Sequence, residues 1–199
     1  MTGKRKVFGI GFQKTGTTSL HVILDKLGYH IASYHEFRHL AKQEGLTMDD
    51  IRAHALKIAP EYDAGKDTPW PLLYKEMDAA FPGSKFIHVT RDPEAWIRSA
   101  VTDFEKFDNW IHHAIYGTHH PTGNEDIWLE RYNRHNAEVA DYFKDRPDDC
   151  LFLRLEDGIT YEKVCDFLGE PRVGSGAPKA NTRQTKRFMK VWWRWTNRD

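Results

Sequence analysis

The segment from Gly9 to Ser19 reads GIGFQKTGTTS and combines a lysine with glycines and hydroxyl residues. A glycine-rich turn between a strand and a helix lets consecutive backbone N–H groups point at one anion, and the helix dipole adds favourable potential there. Lys14 supplies a full positive charge inside the turn. The pattern therefore predicts a phosphate-binding loop, and its hydroxyl donors would be Thr15, Thr17, Thr18 and Ser19.

The position of the lysine sets this loop apart from common nucleotide loops. In the pattern G-x-x-x-x-G-K-[ST] the lysine follows the last glycine, whereas Lys14 precedes Gly16. The displaced lysine argues against a nucleoside triphosphate kinase. A strand–helix turn without any ligand is the alternative, but it gives no reason for a lysine and several hydroxyls around one glycine.

A second candidate for anion binding follows the run KFIHVT, which is the clearest strand signal of the chain. Arg91 comes directly after it, and Asp92-Pro93 supplies an N-cap followed by proline at the first helical position. Ser99 lies eight residues after Arg91, about two helical turns away. Arginine suits phosphate because its planar fork donates two hydrogen bonds. Taken alone, the motif also fits an arginine at a helix start and a solvated serine.

Together the two elements resemble the sulfotransferases that use 3′-phosphoadenosine 5′-phosphosulfate (PAPS). The loop for the 5′-phosphosulfate in that family reads roughly K-[ST]-G-T-[TS], and here it reads KTGTT from Lys14. The 3′-phosphate motif of the family places an arginine at a strand end and a serine eight residues later, as Arg91 and Ser99 do. The resemblance is to a bacterial-type branch and spans roughly residues 7–171, with these similar segments: GFQKTGTTSL, FPGSKFIHVTRDPEAWIRS, RYNRHNAEVADYF, LRLEDG and VCDFLGEP.

The resemblance implies a P-loop fold and a reaction. A sulfuryl group would pass from PAPS to a hydroxyl or an amine of an acceptor by in-line displacement, which releases 3′-phosphoadenosine 5′-phosphate (PAP) and requires no metal. Lys14 would stabilise the charge that grows on the bridging oxygen. The donor-binding residues would be Lys14, Thr15, Gly16, Thr17, Thr18, Ser19, Arg91 and Ser99.

The chain also departs from the family pattern in two places. Cytosolic members carry a tryptophan that stacks on adenine at the position of Ser19. They also carry a late R-K-G loop for the 3′-phosphate, for which Arg183, Lys186 or Arg187 would have to substitute. These departures leave the adenine contacts open.

A sulfotransferase needs a general base for the acceptor proton, and the sequence offers two candidates. Asp67 stands in GKDTP, where many family members use histidine, and the neighbouring Lys66 would be a second cation near the sulfate. His135 is the competitor, on the apolar face of a predicted long helix. The alternative roles are structural, because Asp67 could cap a helix that starts near Pro69 and His135 could be a packed core histidine.

Apolar runs alternate with helical patterns along the chain, which predicts an α/β fold in three layers, with a central parallel sheet and helices on both faces. Glycines and prolines predict that residues 107–124, which are rich in aromatic residues and histidines, form an irregular excursion. Trp110 and Tyr116 of this segment, together with Trp128, would line an acceptor pocket. The predicted strands are 7–10, 30–33, 62–67, 85–90 and 150–155. The predicted helices are 17–27, 35–58 with Thr47 as an N-cap candidate, 69–81, 92–104, 125–144 and one through Val164 to Leu168.

Composition limits the other possibilities. With 199 residues and no linker, we expect a single domain over residues 1–199, with a basic, tryptophan-rich tail from about residue 179. Basic and acidic residues balance at 29 each, so nucleic acid is not the expected partner. No apolar run could span a membrane or serve as a signal peptide, and Cys150 and Cys165 are expected to be reduced, so we expect a cytoplasmic protein.

Three alternatives to a sulfotransferase stay open at this stage. A P-loop kinase would use ATP and magnesium, and LFLRLED at 151–157 weakly imitates a magnesium-binding strand end. A non-catalytic nucleotide-binding module would keep the fold without the activity. Nucleic-acid binding would rest on the tail with Trp192, Trp193 and Trp195. A metal site is not predicted, because His112, His113, His119 and His120 lack a fixed helical spacing. The acceptor and the oligomeric state are not specified by the sequence.

Overall fold

The computed structural model describes residues 4–104 and 108–178. Five strands of this part of the chain form one sheet in the order β2-β3-β1-β4-β5, and every neighbouring pair is parallel. The strands are β1 Val7–Gly9, β2 Ile31–Ala32, β3 Ala64–Gly65, β4 Lys85–Thr90 and β5 Cys150–Arg154. The predicted parallel sheet is confirmed, although β2 and β3 are shorter than the sequence pattern suggested.

Helices cover both faces of the sheet. The α-helices are α1 Thr17–Lys26, α2 Met48–Ile58, α3 Tyr74–Ala80, α4 Pro93–Phe104, α5 Trp110–Tyr116, α6 Glu125–Phe143 and α7 Tyr161–Leu168. Short 3-10 turns lie at Tyr34–Phe37, Leu40–Lys42, Ala59–Glu61, Trp70–Leu73 and Leu155–Asp157.

Alternation along the strands divides the buried apolar residues into two clusters. Phe8 and Phe86 belong to the larger one, which also takes residues from α2 to α6. Val7 and Ile87 belong to the smaller one, which α1 and α7 complete. Because successive strand side chains point to opposite faces, the sheet has one cluster on each side, and the predicted three-layer α/β architecture is confirmed.

The helix boundaries follow from local signals that the sequence displays. The Asp92 carboxylate accepts a hydrogen bond from the Ala95 amide at 2.9 Å, which caps α4 as predicted. Thr47 caps α2 by accepting from the Asp50 amide at 3.2 Å. The α-helix therefore begins after Thr47, and the helix predicted from residue 35 is wrong over residues 35–46, which contain only the 3-10 turns Tyr34–Phe37 and Leu40–Lys42. Gly28 follows the C-cap residue Leu27 of α1 and takes a φ of 75°, in the left-handed region that favours glycine.

One sequence-based expectation is wrong: residues 107–124 are not wholly irregular, because they contain α5. The Asn109 side chain caps this helix by accepting from the Ile111 amide at 2.9 Å, and Gly117 with a φ of 75° ends it. The periodicity is hidden because α5 is short and buries residues on several sides, among them Ile111, His112, Ile115 and Tyr116.

Other expectations concern the thiols, the membrane and the tail. Cys150 and Cys165 are both free and buried. Of the helices described, none has the length and apolar character that a membrane span requires. The basic tail, including Arg183, Lys186, Arg187 and its three tryptophans, lies outside the described residues.

Candidate active site

The glycine-rich loop joins β1 to α1 at the carboxyl ends of the parallel strands. A Cβ on Gly11 would lie 2.3 Å from the carbonyl oxygen of Val89, so only glycine lets the loop pass this close to β4. Gly16 has a φ of 100° and stands at the N-cap of α1. No side chain caps α1, and its first turn carries no acidic residue. The N-terminus of this helix is therefore left to attract an anion.

Lys14 is held at both its backbone and its side chain. Its carbonyl oxygen accepts a hydrogen bond from Nη1 of Arg91 at 3.2 Å. Its ammonium forms an ion pair with the carboxylate of Asp103, in the last turn of α4. The structure thus brings Lys14 and Arg91, which are 77 residues apart in sequence, into direct contact.

The hydroxyl residues of the loop differ in their surroundings. Thr15 is fully buried and its hydroxyl donates to the carbonyl oxygen of Phe12 at 2.6 Å, so this hydroxyl stabilises the loop itself. Thr17, Thr18 and Ser19 are partly exposed at the start of α1. These three hydroxyls, and the backbone amides beside them, are the donors that a ligand can reach.

The backbone of Arg91 is clamped by a tyrosine that the sequence analysis did not identify. The Arg91 amide donates to the hydroxyl of Tyr132 at 2.8 Å, and that hydroxyl donates to the Arg91 carbonyl oxygen at 2.8 Å. Tyr132 is fully buried on α6 and stacks on Trp96, with the ring centroids 4.2 Å apart. Ser99 lies partly exposed on α4, two turns further along.

Asp67 lies beside the N-terminus of α1. Its Oδ2 accepts from the Thr17 hydroxyl at 3.4 Å and lies 3.9 Å from Nζ of Lys66. Its Oδ1 accepts from the amide of Thr68 at 3.0 Å. The side chain does not cap the 3-10 turn that follows; the Asp67 backbone carbonyl does so, by accepting from the Trp70 amide at 2.9 Å. With 25% of its side chain exposed, Asp67 is open to a substrate.

His135 occupies a different environment. It is fully buried on α6, its Nε2 donates to the Ile10 carbonyl oxygen at 2.8 Å, and its ring stacks on Phe12 at 4.4 Å between centroids. Burial lowers the pKa of His135 to about 3. The structure therefore places His135 beneath the loop as a packed core residue, and it does not bring it together with Lys14 and Asp67.

The backbone angles distinguish two of the residues that the sequence analysis proposes as catalytic. Among the described residues, Lys14 and Asp67 are the non-glycine residues with a positive φ, 69° in each case. This region costs an L-residue roughly 1–2 kcal/mol. Such strain persists where surrounding contacts impose it, and it is concentrated at functional sites.

The aromatic and histidine residues of the excursion are mostly part of the core. Tyr116 stacks on Trp128 with centroids 3.7 Å apart, and both rings are buried. His112 is also buried, and its Nδ1 donates to the His119 carbonyl oxygen at 3.2 Å. Of the aromatic residues expected to line a pocket, only Trp110 is partly exposed.

The strand end that imitates a magnesium site has a structural role here. Glu156 accepts a hydrogen bond from the Asp92 amide at 2.9 Å, at the start of α4. This contact lowers the pKa of Glu156. Within residues 4–104 and 108–178, no three His, Cys, Asp or Glu side chains converge as metal ligands would.

Several residues of the site have no signal in the sequence. Asp103 and Tyr132 reach Lys14 and Arg91 from helices that are distant in sequence. Gln13 connects the loop to two other segments through its side chain. Only tertiary contacts reveal these roles, although the position of Gln13 inside the loop could have drawn attention to it.

Comparison with known proteins places this architecture in a family. The family model of the sulfotransferase domain matches residues 6–122 and 103–186. The Ava biosynthesis cluster protein M of Aspergillus versicolor is 28% identical over 234 residues, which covers 96% of this chain and 88% of that protein.

A solved sulfotransferase structure shares the fold. A sulfotransferase from Alicyclobacillus acidocaldarius matches with a TM-score of 0.55 at 16% identity, over 97% of this chain and 92% of that one. A gluconokinase from Sinorhizobium meliloti 1021 aligns with a TM-score of 0.48 at 12% identity, over 97% and 98% of the two chains. Since the family model covers most of the chain, this protein belongs to the sulfotransferase domain family and is an enzyme that transfers a sulfuryl group.

Proposed function

We propose that this sulfotransferase uses PAPS as its donor and transfers the sulfuryl group to a hydroxyl, or to an amine, of its acceptor. The observation that carries the proposal is the contact between Arg91 and Lys14, with 3.2 Å between the guanidinium and the Lys14 carbonyl oxygen. It puts the cation expected at the 3′-phosphate next to the loop expected at the 5′-phosphosulfate. A ligand with two anionic ends fits this arrangement better than one with a single phosphate.

PAPS would lie across the carboxyl ends of the strands. The uncapped N-terminus of α1, with the hydroxyls of Thr17, Thr18 and Ser19, offers hydrogen-bond donors to the 5′-phosphosulfate. Thr15 would contribute its backbone amide only, because its hydroxyl is bonded within the loop. Arg91 and Ser99 would bind the 3′-phosphate, and the clamp from Tyr132 keeps the backbone of Arg91 in place.

The transfer forms one bond to sulfur and breaks another. The acceptor oxygen attacks sulfur while the bond from sulfur to the bridging oxygen breaks, and the electron pair of that bond stays on the phosphate of PAP. Lys14 stabilises this developing charge, which requires its ammonium to leave Asp103 and turn to the donor. Lys66, 3.9 Å from the Asp67 carboxylate, is a second cation within reach of the sulfuryl group.

Asp67 is the base that we assign to the acceptor proton. It is partly exposed, and it contacts Thr17 at the N-terminus that binds the phosphosulfate. His135 is fully buried, and its position under Phe12 gives it the role of supporting the loop. A general base must reach the proton that it removes, so geometry favours Asp67 over His135.

The first experiment is a calorimetric titration with PAP and with ATP, each with and without magnesium. We expect tight binding of PAP that does not depend on magnesium. Preference for ATP with magnesium would overturn the proposal in favour of a kinase. The Arg91→Ala variant should bind PAP more weakly while its affinity for adenosine 5′-phosphate, which lacks the 3′-phosphate, stays near that of the wild type. Full retention of the preference for PAP would contradict the role of Arg91.

Turnover separates an enzyme from a non-catalytic binding module. The wild type should form PAP from PAPS in the presence of a panel of simple alcohols, phenols and amines. Lys14→Ala should abolish this reaction. Equal rates in the two proteins would remove Lys14 from the mechanism.

A further inference from the structure

Gln13 connects the glycine-rich loop to two distant segments through its buried side-chain amide. The hydroxyl of Thr68 donates to its Oε1, and its Nε2 donates to the hydroxyl of Tyr116 at 2.8 Å. Its backbone carbonyl accepts from Nε1 of Trp96 at 2.8 Å. The loop, the segment after β3, α4 and α5 therefore all meet at this residue.

Burial makes these contacts restrictive. Gln13 is 5% exposed, Thr68 4%, Tyr116 5% and Trp96 0%. A buried polar group left without its partner costs about 1–3 kcal/mol. Any shift of the loop relative to Thr68 or Tyr116 would leave such groups unpaired, so the network holds these segments in one arrangement.

The network reaches the proposed catalytic residues from both ends. Lys14 follows Gln13 directly in the chain. Asp67 precedes Thr68, and its Oδ1 accepts from the Thr68 amide at 3.0 Å. Asp67 also has a φ of 69°, a conformation that its surroundings must impose. The position of the Asp67 carboxylate thus depends on Thr68, and that of Thr68 on Gln13.

We propose that Gln13 is a positioning residue that sets the location of Asp67 relative to Lys14. This inference rests on the proposed function, in which Lys14 acts on the leaving oxygen and Asp67 on the acceptor proton. Those two atoms lie on opposite sides of the sulfur in an in-line transfer. The distance between the two groups therefore affects the rate, and misplacement by about 1 Å can cost on the order of 100-fold.

Donor binding depends on other groups. In the proposal PAP is bound by the amides and hydroxyls at the start of α1, together with Arg91 and Ser99, whereas the hydrogen bonds of the Gln13 side-chain amide go to Thr68 and Tyr116. Loss of the network should therefore lower kcat and leave the affinity for PAP nearly unchanged. A loss of global structure would instead lower both.

The test uses two variants that remove hydrogen bonds of the network and one variant that keeps them. Thr68→Val removes one hydroxyl at nearly constant volume. Gln13→Leu removes both hydrogen bonds of the side-chain amide. We expect each to reduce PAP formation from PAPS about tenfold or more, with the Kd for PAP changed less than about threefold. Thr68→Ser keeps the hydroxyl and should recover most of the rate. The double variant should be no slower than Gln13→Leu alone, because both changes interrupt the same connection.

Ser84→Ala is the matched control. Ser84 is 3% exposed and its hydroxyl donates to the Phe81 carbonyl oxygen at 2.6 Å, directly before β4 and thus at the opposite edge of the sheet. Removing this buried hydroxyl should lower stability without changing kcat. The control shows whether loss of a buried hydrogen bond alone reduces turnover.

The outcomes distinguish the inference from the function on which it rests. Wild-type rates in Thr68→Val and Gln13→Leu, with PAP formation intact, would overturn the role of Gln13 alone. A parallel loss of PAP affinity and rate would also overturn it, because the network would then serve donor binding. Failure of the wild type to bind PAP or to form it from PAPS would overturn the proposed function, and the assignment of Gln13 with it.

Discussion

Lys14, to which the proposed mechanism gives the main catalytic role, is ion-paired to an acid of α4. Asp103 holds its ammonium, with 48% of the Asp103 side chain and 26% of the Lys14 side chain exposed. In the proposed mechanism a bound phosphosulfate needs the same ammonium, so the carboxylate and the donor would compete for it. Exposed pairs of this kind are worth about 0.2–1 kcal/mol, and the competition should therefore be weak but measurable.

Asp103→Asn should tighten PAP binding. The variant removes both the ion pair and a negative charge near the anion, and we expect the Kd to fall by about two- to fivefold, which corresponds to the energy of an exposed ion pair. Calorimetry at low ionic strength measures it. Asp145→Asn is the control, because it changes the net charge equally at an exposed acid next to the C-terminal end of α6. An unchanged or higher Kd in Asp103→Asn would contradict the competition.

Asp67→Asn should separate catalysis from folding and donor binding. Asparagine has nearly the same shape as aspartate and tolerates the left-handed conformation, so the φ of 69° is kept. The asparagine side chain cannot act as a base for the proton of the attacking hydroxyl or amine. We therefore expect the rate of PAP formation to fall by about 100-fold or more. The Kd for PAP and the thermal midpoint should stay close to those of the wild type. A rate equal to that of the wild type would exclude Asp67 as the base.

Elements differ in how completely the sequence specifies them. The strand Lys85–Thr90 and the cap of α4 were predictable because an apolar run and Asp92-Pro93 are local signals. The helix α5 was not, since its residues are buried on several sides and show no clear period. The bond between Gln13 and Tyr116 joins residues 103 positions apart, and no local pattern contains it. The glycine-rich turn between β1 and α1 was predictable from its composition, whereas the contacts that orient it depend on tertiary packing.

Gly11→Ala tests the fit between the loop and β4. The added Cβ would lie 2.3 Å from the carbonyl oxygen and 2.9 Å from the amide nitrogen of Val89, both of which are backbone atoms of a central strand. The loop must move away, and we expect a loss of about 1–3 kcal/mol in the free energy of unfolding together with weaker PAP binding. Chemical denaturation and calorimetry measure the two effects.

Gly28→Ala separates steric contact from backbone conformation. Gly28 has a φ of 75° but no atom within 4 Å of an added Cβ, and it lies after the C-terminal end of α1. This variant should lose about 1–2 kcal/mol through its conformation alone and bind PAP as the wild type does. Equal losses of PAP affinity in both variants would show that the close approach of Gly11 to Val89 does not position the loop.

At the scale of the whole molecule, buried histidines couple stability to pH. His88, His112 and His135 are buried at 1%, 4% and 0% exposure. Burial lowers their pKa values to about 4, 4 and 3. In the unfolded chain a histidine has a pKa of about 6.5, so between these values the unfolded state binds more protons than the folded state. The contribution of these histidines to the free energy of unfolding is therefore fully present above about pH 6.5. It is lost as the pH falls toward the pKa values of the folded state.

The free energy of unfolding should accordingly fall when the pH is lowered from 7 to 5, by up to about 1.4 kcal/mol per pH unit for each of these histidines. Urea denaturation at intervals of half a pH unit measures the slope. His112→Phe keeps an aromatic ring against Phe104 and Trp128, and it should reduce the slope by about the contribution of one histidine. Between pH 7 and 8 the two proteins should show the same slope, because histidine is then largely neutral in both states. A slope in His112→Phe equal to that of the wild type below pH 6.5 would mean that His112 takes up its proton without unfolding, and the packing around α5 would then have to open at mildly acidic pH.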